Sequence, residues 1–520
     1  MPKHSLGIDV GGTNTDFAIV DDSGKLLCSH KTYSTYPIEE GITVGLAVLR
    51  TRYPNEYASI GCVNIGTTQV ANAVLEANRL SSVGVIRMNG CLTPQPQPAY
   101  DWPEELRKAI VVRCRPIGGG FECDGRPMSH FSLREVSRAV DELLSMGAET
   151  LAIAGSFSPI YPEQELEIGR YIEKMLGPEF PYTLSHMIGG MGIIEREKAT
   201  ILNSALIPLL GHSFRGLASL VRSCGLNVEV WMTQNNGTLF SVEEAGRYPL
   251  KTVSAGPTNS FIGGSKLAIA NNAIVIDVGG TSTDIGVVES GVLRRSLRAT
   301  AIGGVSLTFS MPDSCSMAIG GGTHIGKGAM GKWIVGPKSC GHSLPEVSQI
   351  FGGSQLTLTD LSCVLGDMEV TDGLVSRVKI GRSEADDIVR SIGKQTVWEI
   401  YKLSRGTQNS SVVLVGGAAG VLKRILQEEF TTSLSLAPFS AVANAYGAAL
   451  TEIGATKTCV VAQENRLKVL DLLRQEAIDQ AIKNGANPNG VRITQVEMTP
   501  IPYSANHLTK LVVDASGRRW

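Results

Sequence analysis

The sequence predicts an α/β protein of two similar lobes facing one ligand, and three observations carry that expectation. A nine-residue segment recurs: Ile8 to Asp16 reads IDVGGTNTD and Ile276 to Asp284 reads IDVGGTSTD, identical at eight positions. Each copy follows apolar residues and precedes another β-prone run, Phe17 to Val20 or Ile285 to Val288, which is the pattern of strand, glycine turn and returning strand. The chain's 520 residues also exceed what one core supports, so two to four domains are expected.

Composition narrows the class further. Hydrophobic residues at 43% and charged residues at 18% are globular proportions. Lys and Arg number 47 against 49 Asp and Glu, a net charge of −2, which removes the bulk electrostatic basis for nucleic acid or an anionic membrane. The 58 glycines point to many tight turns where backbone is approached closely. Ten cysteines without a C-x-x-C pair read as idle reduced thiols. The N-terminal segment turns polar and glycine-rich before an apolar core of signal-peptide length, and no run reaches the roughly 18 apolar residues that span a bilayer. A cytoplasmic enzyme with neither membrane nor nucleic-acid partner is expected.

The two turns carry the chemistry. At Gly11-Gly12 and Gly279-Gly280, backbone N–H groups can converge on an anion because no Cβ blocks the approach. Thr13, Thr15, Thr281 and Thr283 add hydroxyl donors for phosphate oxygens. Asp9 and Asp277 precede the turns, where a carboxylate can hold Mg²⁺, directly or through water, or orient an oxygen for phosphoryl transfer. Asp16 and Asp284 close the hairpins, either as turn carboxylates or with a direct role. A third element, Val412 to Gly420 (VVLVGGAAG), reads as a buried strand entering a small-residue turn, where Gly416, Gly417 and Gly420 would let an adenine or ribose lie flat. The helix at Val442 to Leu450 has Ala445, Gly447 and Ala448 for close crossing of another helix, with Arg196 to Leu206 as the expected partner.

This order resembles the actin, sugar-kinase and heat-shock ATPase superfamily, which implies two actin-like (ribonuclease H-like) lobes; no Walker GxxxxGK[ST] is present. A finer resemblance rests on Gly66-Thr67-Thr68 with Asn72-Ala73, then TLSH at Thr183 to His186, EREKATILNSALIP at Glu195 to Pro208, TQNNGTL at Thr233 to Leu239 and SAGP at Ser254 to Pro257. Gly320 to Gly322, VGPKS at Val335 to Ser339 and TLTD at Thr357 to Asp360 follow in order. This series resembles the hydantoinase/oxoprolinase family.

The resemblance implies an ATP-binding, hydantoinase A-type chain. Its expected reaction opens a cyclic amide such as a hydantoin or 5-oxoproline, phosphorylating the carbonyl oxygen before water attacks. ATP and Mg²⁺ are the implied cofactors, and a second subunit or domain and an oligomer are the implied partners. The implied site residues are Asp9, Asp277 and His186 for catalysis, Thr67, Thr68 and Asn72 for substrate, and Gly320, Gly321, Gly416 and Gly417 beside the two hairpins for nucleotide. Many relatives carry His where this chain has Ile65, and a subgroup has His at the position of Gln69, so the proton-carrying role is vacant or moved. The alternatives are a small-molecule kinase and an ATP-dependent carboxylase subunit of the same family. Expected segments are 1–190 with the first hairpin and an inserted α/β region, 191–455 with the second hairpin and adenosine turn, and an α+β tail at 456–520.

Overall fold

The computed structural model describes residues 3–35, 37–90, 96–296, 300–307, 309, 311–328, 331–405, 410–430, 434–501 and 507–519. Strands are numbered in chain order. The first lobe is a nine-stranded sheet built from β1 (His4–Val10), β2 (Asn14–Val20), β3 (Leu26–Tyr33), β4 (Ile60–Thr67), β9 (Glu229–Thr233), β10 (Thr238–Ser241), β21 (Glu452–Ala462), β22 (Arg492–Pro500) and β23 (Leu508–Gly517). Their spatial order is β22-β23-β21-β10-β9-β4-β1-β2-β3. Its central strands are apolar because the sheet is covered: Leu6, Ile8, Val63 and Ile65 are fully buried. The α+β stretch at 456–520 extends this sheet, and its helix packs Leu470, Leu473, Ala477 and Ala481 against the added strands.

The second lobe orders β13 (Val292–Leu293), β12 (Thr283–Glu289), β11 (Ala273–Val278), β19 (Ser411–Val415) and β20 (Leu434–Leu436), with β16 (Ser314–Met317) also on β12. Between β4 and β9 lies the inserted α/β region, a parallel sheet β6-β5-β7-β8 formed by β5 (Val83–Met88), β6 (Val112–Ile117), β7 (Thr150–Gly155) and β8 (Tyr182–Leu184). Two small hairpins complete the strands: β14 (Thr300–Ile302) with β15 (Val305–Leu307), and β17 (Thr323–Lys327) with β18 (Trp333–Ser339).

Seven helices matter for the site: α1 (Gln69–Glu76), α2 (Glu163–Leu176), α3 (Ile193–Ser223), α4 (Ala255–Leu267), α5 (Gly420–Glu429), α6 (Ala443–Leu450) and α7 (Arg466–Lys483). The crossing partner of α6 is α4, not the 196–206 stretch. A Cβ on Gly263 would fall 1.8 Å from the Ala443 carbonyl oxygen, and one on Gly447 would fall 1.9 Å from that of Asn259. Gly7 likewise admits α6 onto β1, since its Cβ would lie 1.9 Å from the Ala445 oxygen. On the other side, Phe261 of α4 fills the space left by Gly286 of β12. The α4–α6 pair therefore joins the lobes, and its close contact requires residues without side chains.

The 196–206 stretch has a different place. It is buried within α3, where Ser204 Oγ donates to the Leu151 oxygen and Asn203 Nδ2 to Thr183 Oγ1 of the inserted sheet. By length and apolarity α3 could cross a membrane. Its buried segment nevertheless contains Arg196, Glu197 and Lys198, and Glu197 accepts a bidentate pair from Arg87 at 2.6 Å.

Candidate functional site: two carboxylate hairpins across a cleft

The duplicated segment folds into two hairpins of the same register. β1 pairs with β2 so that Asp9 lies opposite Asp16 and Val10 opposite Thr15; β11 pairs with β12 so that Asp277 lies opposite Asp284 and Val278 opposite Thr283. Gly11 N–H donates to the Asn14 oxygen at 3.0 Å, and Gly279 N–H to that of Ser282 at 2.9 Å, closing both turns alike. The tips meet: a Cβ on Gly280 would sit 2.8 Å from Thr13 Oγ1. A Cβ on Gly12 would touch nothing within 4 Å, and its φ is not positive. Neither packing nor backbone conformation demands glycine there. The open space beside Gly12 suits a ligand that comes close to backbone.

The hydroxyls divide by position. Thr15 and Thr283 are buried on the strands; Thr15 Oγ1 pairs with Ser34 Oγ, and Thr283 Oγ1 donates to the Ile319 oxygen at 2.6 Å. These two stiffen the hairpins and are turned away from any phosphate. Thr281 is exposed and Thr13 half-buried, both at the tips. Gly320 and Gly321 are also corrected. Their N–H groups donate to Thr323 Oγ1 and the Gly279 oxygen, and a Cβ on Gly320 would strike Gly279 O at 2.7 Å. They brace the second hairpin from behind.

The carboxylates face one another across the cleft. Asp9 is buried and accepts from Asn259 Nδ2 (3.3 Å) and Asn444 Nδ2 (3.0 Å); Asn444 also donates to Asp16 at 2.8 Å. Burial, then the charges of Asp16 and Asp277, push the Asp9 carboxyl up to about 7. Burial, with Asp284 and Asp16, pushes Asp277 up to about 6, opposed by a hydrogen bond from Ser260 and by Lys31. Lys31 Nζ lies 2.9 Å from Asp16 Oδ1. It would also lie 3.7 Å from a Cβ on Gly417, so one cation of the first lobe reaches the Gly416–Gly420 turn of the second. Among the described residues no three His, Cys, Asp or Glu side chains cage a metal. Asp9 and Asp277 are carboxylates of the kind Mg²⁺ uses, one or two at a time, beside phosphate oxygens and water.

Only part of the turn expected to face adenosine is open. Gly416 has φ +101°, and its Cβ would fall 2.3 Å from Asp277 Oδ1, so glycine is needed to seat the turn on the carboxylate. Gly420 makes room for the Asp367 oxygen, 2.6 Å from its would-be Cβ, and has no ligand face. Gly417 is the open position of the three, with Lys31 Nζ its nearest neighbour.

The segment after β4 joins the first hairpin. Thr68 N–H donates to the Val10 oxygen, and Thr68 Cγ2 would be 3.4 Å from a Cβ on Gly256 of α4. Gly66 itself makes room for Asn259 and Asp9, whose atoms lie 2.3 and 2.5 Å from its would-be Cβ. Thr67 is buried and accepts from Gln69 N–H, a helix-start role and not a substrate contact. Asn72 is half-buried one turn further along α1, and Ile65 is fully buried in β4. Gln69 Oε1 is a buried acceptor without a partner among the described residues. His186 is placed elsewhere: its Nδ1 and its N–H meet Glu165 Oε2 of α2 at 2.7 and 3.0 Å, within the inserted region. Burial would raise the fully buried Glu165, but its bonds with His186 and Ser185 hold it below the usual range.

Asn259, Ser260, Asn444 and Lys31 are site residues that reading by motif misses. Asn259 and Ser260 are consecutive on α4, yet one touches Asp9 of the first lobe and the other Asp277 of the second. The signal for them was the small-residue stretch SAGPTNS, which marks a helix that approaches backbone closely.

The fold and site define a duplicated, two-lobed α/β protein of the actin-like class, with paired carboxylate hairpins across its cleft. The chain belongs to the hydantoinase/oxoprolinase family: the family's N-terminal region matches residues 5–176 and the hydantoinase/oxoprolinase model itself matches 196–395. It is 24% identical over 478 residues to caprolactamase subunit alpha of Pseudomonas jessenii, covering 84% of this chain and 68% of that protein. It is 22% identical over 424 residues to the acetophenone carboxylase gamma subunit of Aromatoleum aromaticum, covering 74% and 56%. The crystal structure of the ATP-dependent caprolactamase from Pseudomonas jessenii superposes with a TM-score of 0.78 at 20% identity, over 99% of this chain and 87% of that one. Nucleotide-free acetone carboxylase superposes at 0.72 with 16% identity, over 99% and 88%.

Proposed function

We propose that this chain is the ATP-binding subunit of a cytoplasmic, oligomeric hydrolase that opens a cyclic amide, phosphorylating the amide carbonyl oxygen before water adds. The observation that carries the reading is the meeting of the two Asp-Val-Gly-Gly-Thr hairpins, with Thr13 of one against Gly280 of the other. An unstrained lactam resists attack because amide resonance leaves its carbonyl a poor electrophile. Phosphorylation converts that oxygen into a leaving group.

Each residue then has a task. The N–H groups of Gly12, Thr13, Gly280 and Thr281, with the hydroxyls of Thr13 and Thr281, hold the phosphates by position and charge complementarity. Lys31 and the Gly417 backbone face the nucleoside end. Asp9 and Asp277 would hold Mg²⁺, whose chemistry is to neutralise charge on the phosphates. Thr68 and Gln69 line the substrate side, where the unpartnered Gln69 Oε1 suits an amide N–H. Gln69 carries no proton near neutral pH and His186 lies in the inserted region, so proton transfer in the water step falls to another group, one on a second subunit. The subunit names of the caprolactamase and acetophenone carboxylase relatives support a partner for this chain as well.

ADP release by the purified chain with Mg²⁺ tests the reading, with and without 5-oxoproline, hydantoin, succinimide and caprolactam, beside Asp277→Asn. The expected result is stimulation by one cyclic amide, lost in the variant. Stimulation by a ketone with bicarbonate and by no amide would move the reading to the carboxylase branch. Stimulation by a hydroxyl compound that becomes phosphorylated would make the chain a kinase.

A further inference from the structure

At the other end of the first lobe's sheet from the hairpin tips lies a cleft of about 520 Å³, counted to its open mouth. It is bounded by the beginning of β1 at Ser5, the C-terminal turn of α6, the start of β21 and the last described residues of the chain. Ser5 and Asp9 are four residues apart on one strand, so about 13 Å separates this cleft from the carboxylates.

Two polar atoms in it are buried without partners. Asn64 is 1% exposed; its Nδ2 donates to the Ala448 oxygen at 2.9 Å, while its Oδ1 accepts from nothing among the described residues. Trp231 Nε1 is likewise a buried donor without an acceptor. The two residues are register partners on the neighbouring parallel strands β4 and β9, so they stand side by side. A buried polar group without a partner costs about 1–3 kcal/mol, and a native fold rarely leaves an adjacent pair so.

The charged groups around them are already neutralised. Asp21 accepts from Ser23 and Lys25, Glu452 pairs with Arg492 and Ser516, Arg518 donates to the Asp22 oxygen, and Arg519 pairs with Glu229. Apart from the exposed Asp22 carboxylate, and with the Arg519 guanidinium 5.2 Å over the Trp231 ring, what remains is one neutral acceptor, one neutral donor, and apolar wall from Val20, Leu239 and Ile453. A cis amide in a small ring presents the complement: an N–H and a C=O on the same edge, with an apolar body behind them.

We propose that this cleft is a second ligand site, separate from the hairpin cleft, that takes a small neutral cyclic amide, its N–H to Asn64 Oδ1 and its C=O to Trp231 Nε1–H. The assignment follows from the donor and acceptor and does not require that the hairpin cleft act on the same compound. A lone water satisfying both atoms is the competing occupant.

The test is ligand-observed NMR titration of the nucleotide-free chain with δ-valerolactam and with its N-methyl analogue, which lacks the donor. δ-Valerolactam is expected to bind saturably, and the N-methyl compound at least about tenfold more weakly, the ratio a lost hydrogen bond to a buried acceptor gives. Trp231→Phe, which removes the N–H and keeps most of the ring, should weaken δ-valerolactam about tenfold. Asp277→Asn should leave that binding unchanged. No saturable binding up to about 20 mM, weaker than any site of use, would leave water as the occupant and overturn the assignment. Equal affinity for both compounds would overturn it too. Binding lost with Asp277→Asn and kept with Trp231→Phe would place the lactam in the hairpin cleft, sinking this site while supporting the proposed reaction.

Discussion

The two hairpins share eight of nine residues and one strand register, yet they sit in different surroundings. Asp9 is buried, held by Asn259 and Asn444 from the two bridging helices, and shares Asn444 with Asp16. Asp277 is half-buried, held by Ser260, and its flanking turn is backed by Gly320 to Gly322. Both carboxylates are thus fastened to the bridging helix α4; the first is held by α6 as well, and the second has its turn braced within its own lobe. One motif in two settings gives one carboxylate held by both bridging helices and another held by one of them. The consecutive Asn259 and Ser260 tie the two together.

The largest effect that separates the hairpins from the rest of the chain is loss of a carboxylate. Asp9→Asn and Asp277→Asn are each expected to lower ATP turnover by at least about a hundredfold, the scale set by removing one preorganised charge contact. Steady-state ADP release checks this. Turnover within threefold of the parent in either variant would mean that its carboxylate is a structural turn residue.

Glycine substitutions come next, and they distinguish glycines that pack from glycines that face a ligand. Gly447→Ala places a Cβ 1.9 Å from the Asn259 oxygen, so the α4–α6 crossing must open. Overpacking of that kind costs about 1–3 kcal/mol or more and should lower the thermal midpoint by several degrees. Gly12→Ala meets open space and should leave the midpoint within a degree or two while weakening nucleotide binding. Calorimetry beside nucleotide titration reads both. A Gly12→Ala variant with unchanged nucleotide affinity would show that the first tip does not face the phosphates.

The pH dependence sharpens the contrast between the two aspartates. Both carboxyls are raised in the fold, to about 7 for Asp9 and about 6 for Asp277, and return to about 4 on unfolding. A raised carboxyl favours the protonated native state. The stabilisation is therefore full below about pH 4 and is lost as the pH rises through about 6 and then 7. The nucleotide-free chain should melt a few degrees lower at pH 8 than at pH 5. Asp9→Asn should flatten that profile more than Asp277→Asn. Equal flattening would mean that the bridging helices do not set Asp9 apart.

How much of this was legible in the sequence depends on how local each feature is. The hairpins were readable because the register of a short turn is set by the residues inside it. The partner of α6 was not. Ala255 to Leu267 contains Gly256, Pro257, Gly263 and Gly264 and lacks a clear apolar stripe, so nothing in it names a partner, and its helical state is maintained by contacts with both lobes. The sheet that the 456–520 stretch joins was not legible for a related reason: nothing inside β21 to β23 names the strand they pair with, and β10 lies about 200 residues upstream. Glycine runs mislead because brace and cradle look alike in sequence. The amides of Gly320, Gly321 and Gly11 are all spent on neighbouring oxygens, and Gly12 is set apart by the open space beside it.

The smallest effect probes the hydroxyls on a single hairpin. Thr281 is exposed at the tip of the second hairpin, whereas Thr283, two residues on, is buried and donates to the Ile319 oxygen at 2.6 Å. Valine is nearly isosteric with threonine, so each substitution removes a hydroxyl and little else. Thr281→Val should raise the KM for ATP a few-fold and leave the melting temperature unchanged, because the lost group faces solvent until nucleotide arrives. Thr283→Val should do the opposite. It leaves the Ile319 carbonyl without its donor, costs about 1 kcal/mol of stability, and leaves KM near the parent value. If both variants instead shift KM alone, the buried hydroxyl reaches the phosphates through the turn, and the division of labour between tip and strand does not hold. If both shift stability alone, the tip contributes shape without binding, and the affinity of the cleft resides in its backbone amides and in Lys31.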